Sequence, residues 1–448
     1  MLNLIQHLKY FANIKDFLNV NIKRPINKYM KLTIEKLIYG GYGLARTGDK
    51  VVFVRGGVPG EQVDVEIAEE KKSFDIAYIN NILEPSKHRV DPQCKYFGKC
   101  GGCQWQNIDY QYQLKAKEQI LKESIQKIAG INDFEIEPIV PSQNKYSYRN
   151  RVTLHLDTVN GKHILGYKEE KSHKLVPIEQ CPISSDNISK LVQKISKLIS
   201  GYDAKKLPFD KIFITDIGKI PALSLSPKKN VSESDANNFF YNLKERMQGI
   251  DISIDNKDEK SFEFRVLGLK FISSPSVFAQ ANSIINEQLI KTLIKWADLK
   301  KNENVMDLYC GYGNFSLNIA RKVKQVLSID NNKKAIKFAI KNAKLNSIRN
   351  CIFEDWDVNK YLQRHKPKEN QDLVILDPPR TGAKEIIKSI ININPKKILY
   401  VSCNPTTLAR DLKDLIKAGY NLKKIQPFDM FPQTFHIESI SLLVKESG

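Results

Sequence analysis

The sequence has no apolar run approaching the roughly 18 residues that a membrane-spanning helix needs, which predicts a protein without a membrane partner. Its first stretch, MLNLIQHLKYFANIKDFLNVNIKRPINKYM, breaks its apolar residues with Lys9, Lys15 and Asp16, and no small-residue cleavage site follows. A secretory signal is therefore not expected. Residues 1–29 are predicted to form an N-terminal extension, and the protein is expected in the cytoplasm.

The chain also lacks the even set of cysteines that a disulfide framework requires. Its cysteines number seven, an odd count in a large chain without an export signal, which favours a reducing compartment. Burial, catalysis and metal binding are the roles left to these thiols. They are Cys94, Cys100, Cys103, Cys181, Cys310, Cys351 and Cys403.

Acidic residues are too few to balance the basic ones. Lys and Arg total 70 against 50 Asp and Glu, so the net charge is +20 and the isoelectric point is about 9.4. Such a surplus suits a polyanionic partner, most simply a nucleic acid. A lysine-rich composition that reflects a biased genome would produce the same surplus, so charge alone leaves both interpretations open.

The 448 residues suffice for about two to four domains. Residues 30–90 alternate apolar and polar positions between glycine-rich turns, which predicts a small OB-like β-barrel that binds nucleic acid or only docks. Residues 91–275 mix helical and strand patterns around the clustered cysteines. Residues 276–448 alternate strands and helices, which predicts a doubly wound parallel sheet. The fold class is thus a multidomain α/β protein.

The stretch KYSYRNRVTLHLD in the central segment interleaves Arg149 and Arg151 with Tyr146 and Tyr148. Guanidinium groups beside aromatic faces are what unstacked bases pack against, so these arginines are candidate RNA contacts. A solvated strand face would show the same pattern, and it remains an alternative.

The stretch DLYCGYGNFSL follows the first predicted strand of the C-terminal sheet and places Gly311 and Gly313 in the turn. No third glycine completes a dinucleotide fingerprint, so a cofactor without pyrophosphate fits better. The next strand ends at Asp330, which suits ribose hydroxyls, and Asp357 after the third strand suits an adenine amino group. This order resembles that of class I S-adenosylmethionine methyltransferases.

The fourth and fifth strands of this sheet end in ILDPPRTG and LYVSCNP, which bring Asp377 and Cys403 to neighbouring strand ends. Arg380 stands where amine methyltransferases of nucleic acids carry an aromatic residue, which counts against an amine substrate. A pyrimidine C5 becomes nucleophilic when a thiolate adds to C6, and a base must then remove the C5 proton. Glu438, with His436 close by, is the candidate base. A buried thiol and a solvated glutamate are the alternatives.

The motifs LDPPRTG, VSCNPTTLARD and DMFPQTFHIES resemble those of the RNA uracil-C5-methyltransferase family, and the match runs from Met30 over nearly the whole chain. The resemblance implies that Cys403 is the nucleophile and Glu438 the base, and it makes Phe278 a weaker candidate for stacking on the target base. Tyr309 and Asp330 replace the usual Phe and Glu, and Asp330 has the shorter reach. The implied methyl-donor contacts are Gln280, Tyr309, Asn314, Asp330, Asp357 and Asp377.

Cys94, Cys100 and Cys103, together with Cys181, supply four thiolates. Spacing alone suits an iron–sulfur cluster and structural zinc comparably, and four ligands leave no iron open for radical chemistry. The family resemblance implies [4Fe-4S].

A TRAM-type barrel joined to such a cluster resembles the family members that modify 23S ribosomal RNA, and a monomer is expected. A transfer RNA substrate, a cytosine-C5 or amine methyltransferase, and a non-catalytic RNA-binding iron–sulfur protein are the alternatives. Cytosine enzymes generally place their thiol after proline, whereas Cys403 precedes Asn404 and Pro405.

Overall fold

The computed structural model describes residues 29–202, 207–255, 261–365, 367 and 369–445. The predicted extension therefore lies outside the described residues, apart from Tyr29. Among the helices of the described part, none has the length and apolar character needed to cross a membrane.

The N-terminal sheet has six strands, which are β1 Tyr29–Thr33, β2 Lys36–Leu37, β3 Tyr42–Thr47, β4 Lys50–Arg55, β5 Gln62–Glu70 and β6 Phe74–Glu84. Their order is β1-β5-β6-β4-β3-β2, and all neighbours are antiparallel except β4 and β6. Successive side chains of a strand point to opposite faces, so the alternating sequence of β5 buries Val63, Val65 and Ile67 in the core of this sheet.

A single helix and a short strand follow, namely α1 Tyr110–Ser124, which continues into a π-helical turn at Ile125–Ala129, and β7 Glu135–Ile136. The central sheet comes next, with β8 Arg151–Val159, β9 Lys162–Lys168, β10 Leu175–Pro177, α2 Asp186–Ser200, β11 Phe209–Thr215, β12 Ala222–Pro227, α3 Glu233–Arg246 and β13 Asp251–Ile254. Its order is β10-β9-β8-β11-β12-β13. Apolar side chains of α2 and α3 pack on it, which forms a separate hydrophobic core.

The remaining elements are β14 Phe262–Val266, β15 Leu269–Ser273, α4 Ser283–Ala297, β16 Asn304–Leu308, α5 Ser316–Ala320, β17 Gln325–Asp330, α6 Lys333–Leu345, β18 Cys351–Asp355, α7 Val358–Arg364, β19 Leu373–Leu376, α8 Ile387–Ile393, β20 Lys397–Ser402, α9 Pro405–Lys417, β21 Tyr420–Phe428 and β22 Glu438–Lys445. The C-terminal sheet has the order β18-β17-β16-β19-β20-β22-β21-β7. Strands β16 to β20 are mutually parallel, and β22 is antiparallel to its neighbours. The predicted doubly wound sheet is confirmed.

Part of the segment between the N-terminal and central sheets packs on the C-terminal sheet. Leu121 of α1 and Ile125 of the π-helical turn share a core with Leu408 and Leu412 of α9, and β7 extends the sheet beside β21. The sequence-based division assigns these elements to the central segment. By their packing, α1 and β7 therefore belong to the C-terminal sheet.

Candidate active site

Cys403 lies in the turn between β20 and α9, at the carboxyl edge of the parallel strands. Asn404 caps α9 by accepting the amide hydrogen of Thr406 at 3.0 Å, and Pro405 is the first helical residue, where its missing N–H costs nothing. The Asn404 side chain also donates to the carbonyl oxygen of Arg380 at 3.1 Å. That bond joins the Cys403 turn to the DPPRTG turn.

Glu438 is the first residue of β22, and the next residue, Ser439, pairs with Ser402 at the end of β20. Cys403 and Glu438 therefore lie at neighbouring strand ends. Burial, together with the negative charges of Glu438 and Asp377, raises the pKa of the Cys403 thiol to about 12, although the Arg380 guanidinium opposes this rise. Burial, and after it the negative charge of Asp377, also raise the pKa of Glu438 well above its usual value. The positive charge of Arg380 opposes this rise. The charges of Cys403, Glu438 and Arg380 therefore influence one another.

Asp377 directly follows β19, and its amide donates to the carbonyl oxygen of Leu308 at 3.3 Å. Burial, together with the negative charges of Asp307 and Asp330, raises the pKa of its carboxyl to about 7. Asp377 thus connects the electrostatic surroundings of Cys403 with the carboxylates at the ends of β16 and β17. The predicted convergence of these strand ends at one edge is present.

The glycine turn after β16 is tight and depends on Asp330. Tyr309 has a φ of 66° and Gly313 a φ of 89°, both in the left-handed region. The Asp330 carboxylate accepts the amide hydrogens of Gly311 at 2.9 Å and Asn332 at 2.8 Å. This carboxylate therefore holds the turn itself, a role that the sequence did not predict, and its contact with a ribose stays a prediction.

The other candidate donor contacts lie in different surroundings. Asp357 is exposed and caps α7 by accepting the amide hydrogen of Lys360 at 3.0 Å. Asn314 is buried and exchanges two side-chain hydrogen bonds with Asn286, at 3.0 and 3.1 Å. Gln280 is buried on the segment before α4. Their contacts with a methyl donor stay predictions.

Arg151 supports the segment that carries Phe278 and Gln280. Its guanidinium donates to the carbonyl oxygens of Ala279 at 3.2 Å and Pro275 at 3.1 Å, and it lies 5.5 Å from the centre of the Phe278 ring. Phe278 is 65% exposed, an unusual position for a large aromatic side chain, and a stacking partner could reach it. Arg151 therefore holds the backbone on both sides of Phe278.

A cavity of about 1110 Å³ lies between the N-terminal sheet, the cysteine loops and the Cys403 turn. Arg149, Arg380 and Asn404 line it, as do the four candidate cluster cysteines. Additional cations on its walls are Lys36, Arg46, Lys127, Lys168, Lys171, Lys384 and Arg410. The lining also includes Glu123, Glu169 and Glu170, so its cations outnumber its carboxylates. This groove, named here the basic groove, has the excess of positive charge that suits an RNA strand.

Cys94, Cys100 and Cys103 lie in the loop before α1, Cys181 lies in the loop before α2, and all four line the basic groove. Burial, together with the negative charges of Cys181 and Cys94, raises the pKa of Cys100 to about 11 and that of Cys103 to about 12. Within the described ranges, no group of three or more His, Cys, Asp or Glu side chains is arranged so as to hold a single metal ion.

Several residues of this site were not predicted from the sequence. The Tyr39 hydroxyl donates to the carbonyl oxygen of Cys403 at 3.3 Å, although Tyr39 lies in the turn between β2 and β3, far away in the sequence. The amides of Gln104 and Trp105 donate to the carbonyl oxygen of Gln433, at 3.2 and 3.0 Å, in the loop before Glu438. These contacts join residues distant in the sequence, so no local pattern signals them.

Comparison with known proteins places this site in a family. A family model described as tRNA (uracil-5-)-methyltransferase matches residues 109–446, and a TRAM domain model matches residues 23–74. The chain belongs to the tRNA (uracil-5-)-methyltransferase family. This confirms the predicted family resemblance, the TRAM domain and the assignment as an S-adenosylmethionine-dependent RNA (uracil-C5)-methyltransferase.

Curated relatives align with this chain along nearly its full length. The 23S rRNA (uracil(1939)-C(5))-methyltransferase RlmD of Photorhabdus laumondii is 34% identical over 94% of this chain and 98% of its own. An uncharacterized RNA methyltransferase of Thermosynechococcus vestitus is 32% identical over 92% and 97%. The solved tRNA (uracil-54, C5)-methyltransferase of Pyrococcus abyssi, in complex with S-adenosyl-L-homocysteine, aligns with a TM-score of 0.67 at 24% identity over 93% of this chain and all of that one. That likeness supports the fold.

Proposed function

We propose that this enzyme methylates C5 of a uridine in 23S ribosomal RNA through a covalent bond between Cys403 and C6 of the base. The observation that carries the proposal is the position of Cys403 and Glu438 at neighbouring strand ends, at the carboxyl edge where doubly wound sheets bind their ligands. A thiol and a carboxyl side by side are the two groups that C5 methylation requires.

Each step uses a group of this site. The Cys403 thiolate adds to C6, and the electron pair of the C5–C6 bond moves toward C5 and the O4 carbonyl. The Arg380 guanidinium, which lowers the pKa of Cys403, favours the thiolate. S-adenosylmethionine supplies the methyl group to C5. Glu438 then removes the C5 proton, the double bond re-forms, and Cys403 leaves as a thiolate. Because burial raises the pKa of Glu438, its carboxylate is a stronger base than an exposed one.

The methyl donor is proposed to bind at the glycine turn after β16. Tyr309, Asp330 and Asp357 lie at the ends of three adjacent strands, which suits the ribose and adenine of the donor. Gln280 and Asn314 lie on the segments before α4 and α5, and Asp377 lies between this turn and Cys403. Phe278, exposed beside Arg151, is proposed to stack on a base of the RNA.

Ribosomal RNA is favoured over transfer RNA by the relatives named as 23S rRNA methyltransferases, which align along nearly the full chain. The basic groove and the net charge of +20 suit a polyanion. A uracil inside a duplex is inaccessible, so the target lies in a loop or flips out of its stack. The proposal places the enzyme in the cytoplasm with its RNA.

The four cysteines are proposed to hold a [4Fe-4S] cluster. Four thiols, three from the loop before α1 and one from the loop before α2, border one cavity, and thiolates are the ligands that such clusters use. The cluster would join the loops that carry Cys94, Cys100, Cys103 and Cys181 and thereby order that wall of the basic groove. Anaerobically purified protein should contain iron and sulfide and absorb broadly in the visible region, and Cys100→Ser should remove that absorption. Stoichiometric zinc without iron would contradict the assignment.

The decisive experiment supplies tritiated S-adenosylmethionine with unmodified 23S ribosomal RNA or transfer RNA, followed by nucleoside analysis. The expected product is 5-methyluridine in ribosomal RNA alone. Cys403→Ala should abolish the product and keep RNA and donor binding, because only the covalent step is lost. Labelled 5-methylcytidine, a methylated exocyclic amine, or labelling of transfer RNA would refute the proposal, as would turnover by Cys403→Ala.

A further inference from the structure

The turn between β2 and β3, formed by residues Ile38 to Gly41, reaches the Cys403 turn from the TRAM domain. The Tyr39 hydroxyl donates to the carbonyl oxygen of Cys403 at 3.3 Å, and the Tyr39 ring stands edge-on to Phe435 with 5.2 Å between ring centres. Burial, together with the negative charges of Cys403 and Glu438, raises the pKa of Tyr39. The hydroxyl therefore keeps its proton and remains a donor.

The turn between β2 and β3 packs closely between two loops that carry candidate functional residues. Gly41 has a φ of 91°, and a Cβ added there would come within 2.9 Å of the Gln104 Cβ and 3.1 Å of the Phe435 ring. Gln104 follows the candidate ligand Cys103, and Phe435 belongs to the loop that leads to Glu438. Only glycine fits this position without displacing a neighbour.

The TRAM domain is fixed at this location by an interface. Leu37 and Val58 of that domain share a hydrophobic cluster with Trp105, Ile120 and Ile437, and Ile437 directly precedes Glu438. An ion pair of 2.6 Å between Lys36 and Glu123 of α1 flanks this cluster. The TRAM domain is thus anchored to the elements around the active site.

We propose that Tyr39 is a positioning residue for Cys403, so that the TRAM domain contributes to the covalent step as well as to RNA binding. The inference rests on the proposed function, in which the Cys403 thiolate attacks C6. The hydrogen bond from the Tyr39 hydroxyl fixes the peptide carbonyl of Cys403 and hence the direction of its thiol. The Tyr39 ring covers one side of the turn. Small errors in the position of a nucleophile reduce rates substantially.

The test uses a stem-loop RNA in which the target uridine is 5-fluorouridine, because fluorine at C5 is not removed by a base and the covalent adduct persists. The rate of adduct formation at saturating RNA and donor is followed on denaturing gels, and the RNA dissociation constant is measured separately. Tyr39→Phe keeps the ring and removes one hydrogen bond, so the rate should fall about three- to tenfold. The RNA dissociation constant should change less than about twofold. Tyr29→Phe, in the same domain and 61% exposed, is the matched control and should match the wild type.

A second pair of variants tests the turn. Gly41→Ala should lower the same rate, whereas Gly60→Ala should not, since Gly60 has a φ of 90° but an added Cβ would meet only the Ser86 hydroxyl at 3.7 Å. A wild-type adduct rate for Tyr39→Phe would overturn the inference. A defect that matches the loss of RNA affinity and disappears at saturating RNA would also overturn it, in favour of an RNA contact. If the wild type forms no adduct, the proposed function itself fails and the inference falls with it.

Discussion

The Lys117 ammonium lies 2.5 Å from the Asp429 carboxylate, and both side chains are fully buried. Lys117 also donates to the carbonyl oxygen of Phe431 at 3.0 Å, and the Tyr110 hydroxyl donates to the other carboxylate oxygen of Asp429 at 2.7 Å. Helix α1 is thereby tied to the loop between β21 and β22. Because that loop leads to Glu438, the ion pair couples the stability of the fold to the geometry of the active site.

Removing one partner of this pair should destabilise the protein strongly. Lys117→Met leaves the Asp429 carboxylate buried and unpaired, which should lower the free energy of unfolding by about 3–5 kcal/mol in urea titrations. The double variant Lys117→Met/Asp429→Leu should recover much of the loss, because no unpaired charge remains. Lys95→Met is the control, since Lys95 pairs with Glu179 in solvent, and it should leave the midpoint unchanged. A small effect of Lys117→Met would contradict the account.

The reactivity of Cys403 should depend steeply on pH. Burial raises the pKa of the thiol to about 12, so below that pH the thiolate fraction grows about tenfold per pH unit. Iodoacetamide should therefore alkylate Cys403 about tenfold faster for each unit between pH 7 and 9, measured by mass spectrometry of its peptide. A plateau in this window would show a much lower pKa.

Arg380 should increase the reactivity of the Cys403 thiol toward iodoacetamide. Its positive charge lowers the pKa of Cys403, so Arg380→Gln should raise the pKa and slow alkylation at every pH in the same window. Arg364→Gln provides the control, because Arg364 ends α7 and its guanidinium lies over the ring of Trp356. Equal alkylation rates in wild type and Arg380→Gln would show that the Arg380 charge does not reach the thiol.

Local patterns were enough to predict the parallel strands of the C-terminal sheet and where they end. Apolar runs closed by a turn residue placed Asp330, Asp377 and Cys403 at strand ends, and parallel strands bring their carboxyl ends to one edge. The capping of α9 by Asn404 follows from Asn–Pro at a strand-to-helix turn. Such features depend on neighbours in the sequence.

The contacts that complete the site depend on docking between distant segments. Tyr39 and Cys403 are 364 positions apart, and Lys117 and Asp429 are 312 apart, so no periodicity or spacing connects them. Lys117 sits in a helical stretch rich in charged and polar residues, where a lysine is usually exposed. Its burial follows from the partner that it meets on the β21–β22 loop.

RNA affinity should fall steeply with salt, because cations along the basic groove displace counterions from phosphates. Lys384→Gln, at the wall of the groove near Arg380, should weaken binding and reduce the slope of log K against log salt by about 1. Lys300→Gln is the control, since Lys300 lies at the opposite end of the C-terminal sheet, before β16. Filter binding over a salt series measures both slopes, and identical slopes would place the RNA elsewhere.

The role of Glu438 is tested by trapping the covalent intermediate. Glutamine has the size of glutamate but accepts no proton, so Glu438→Gln should still allow Cys403 to add and the methyl group to transfer to C5. Elimination then stalls, because the C5 proton remains. Methylated RNA should therefore stay joined to the protein, and a denaturing gel with labelled methyl donor should show the adduct.

The same gel separates the possible roles of this carboxyl. The double variant Cys403→Ala/Glu438→Gln should show no adduct, since the bond to C6 requires the thiol. A Glu438→Gln enzyme that turns over normally would mark Glu438 as a bystander, and a loss of activity without adduct would mark it as a residue that positions the base. Because Glu438 is only 3% exposed and its pKa is raised by burial and by Asp377, a proton acceptor at this position is the role that its surroundings favour. Accumulation of the methylated adduct in the glutamine variant is the result that this role requires.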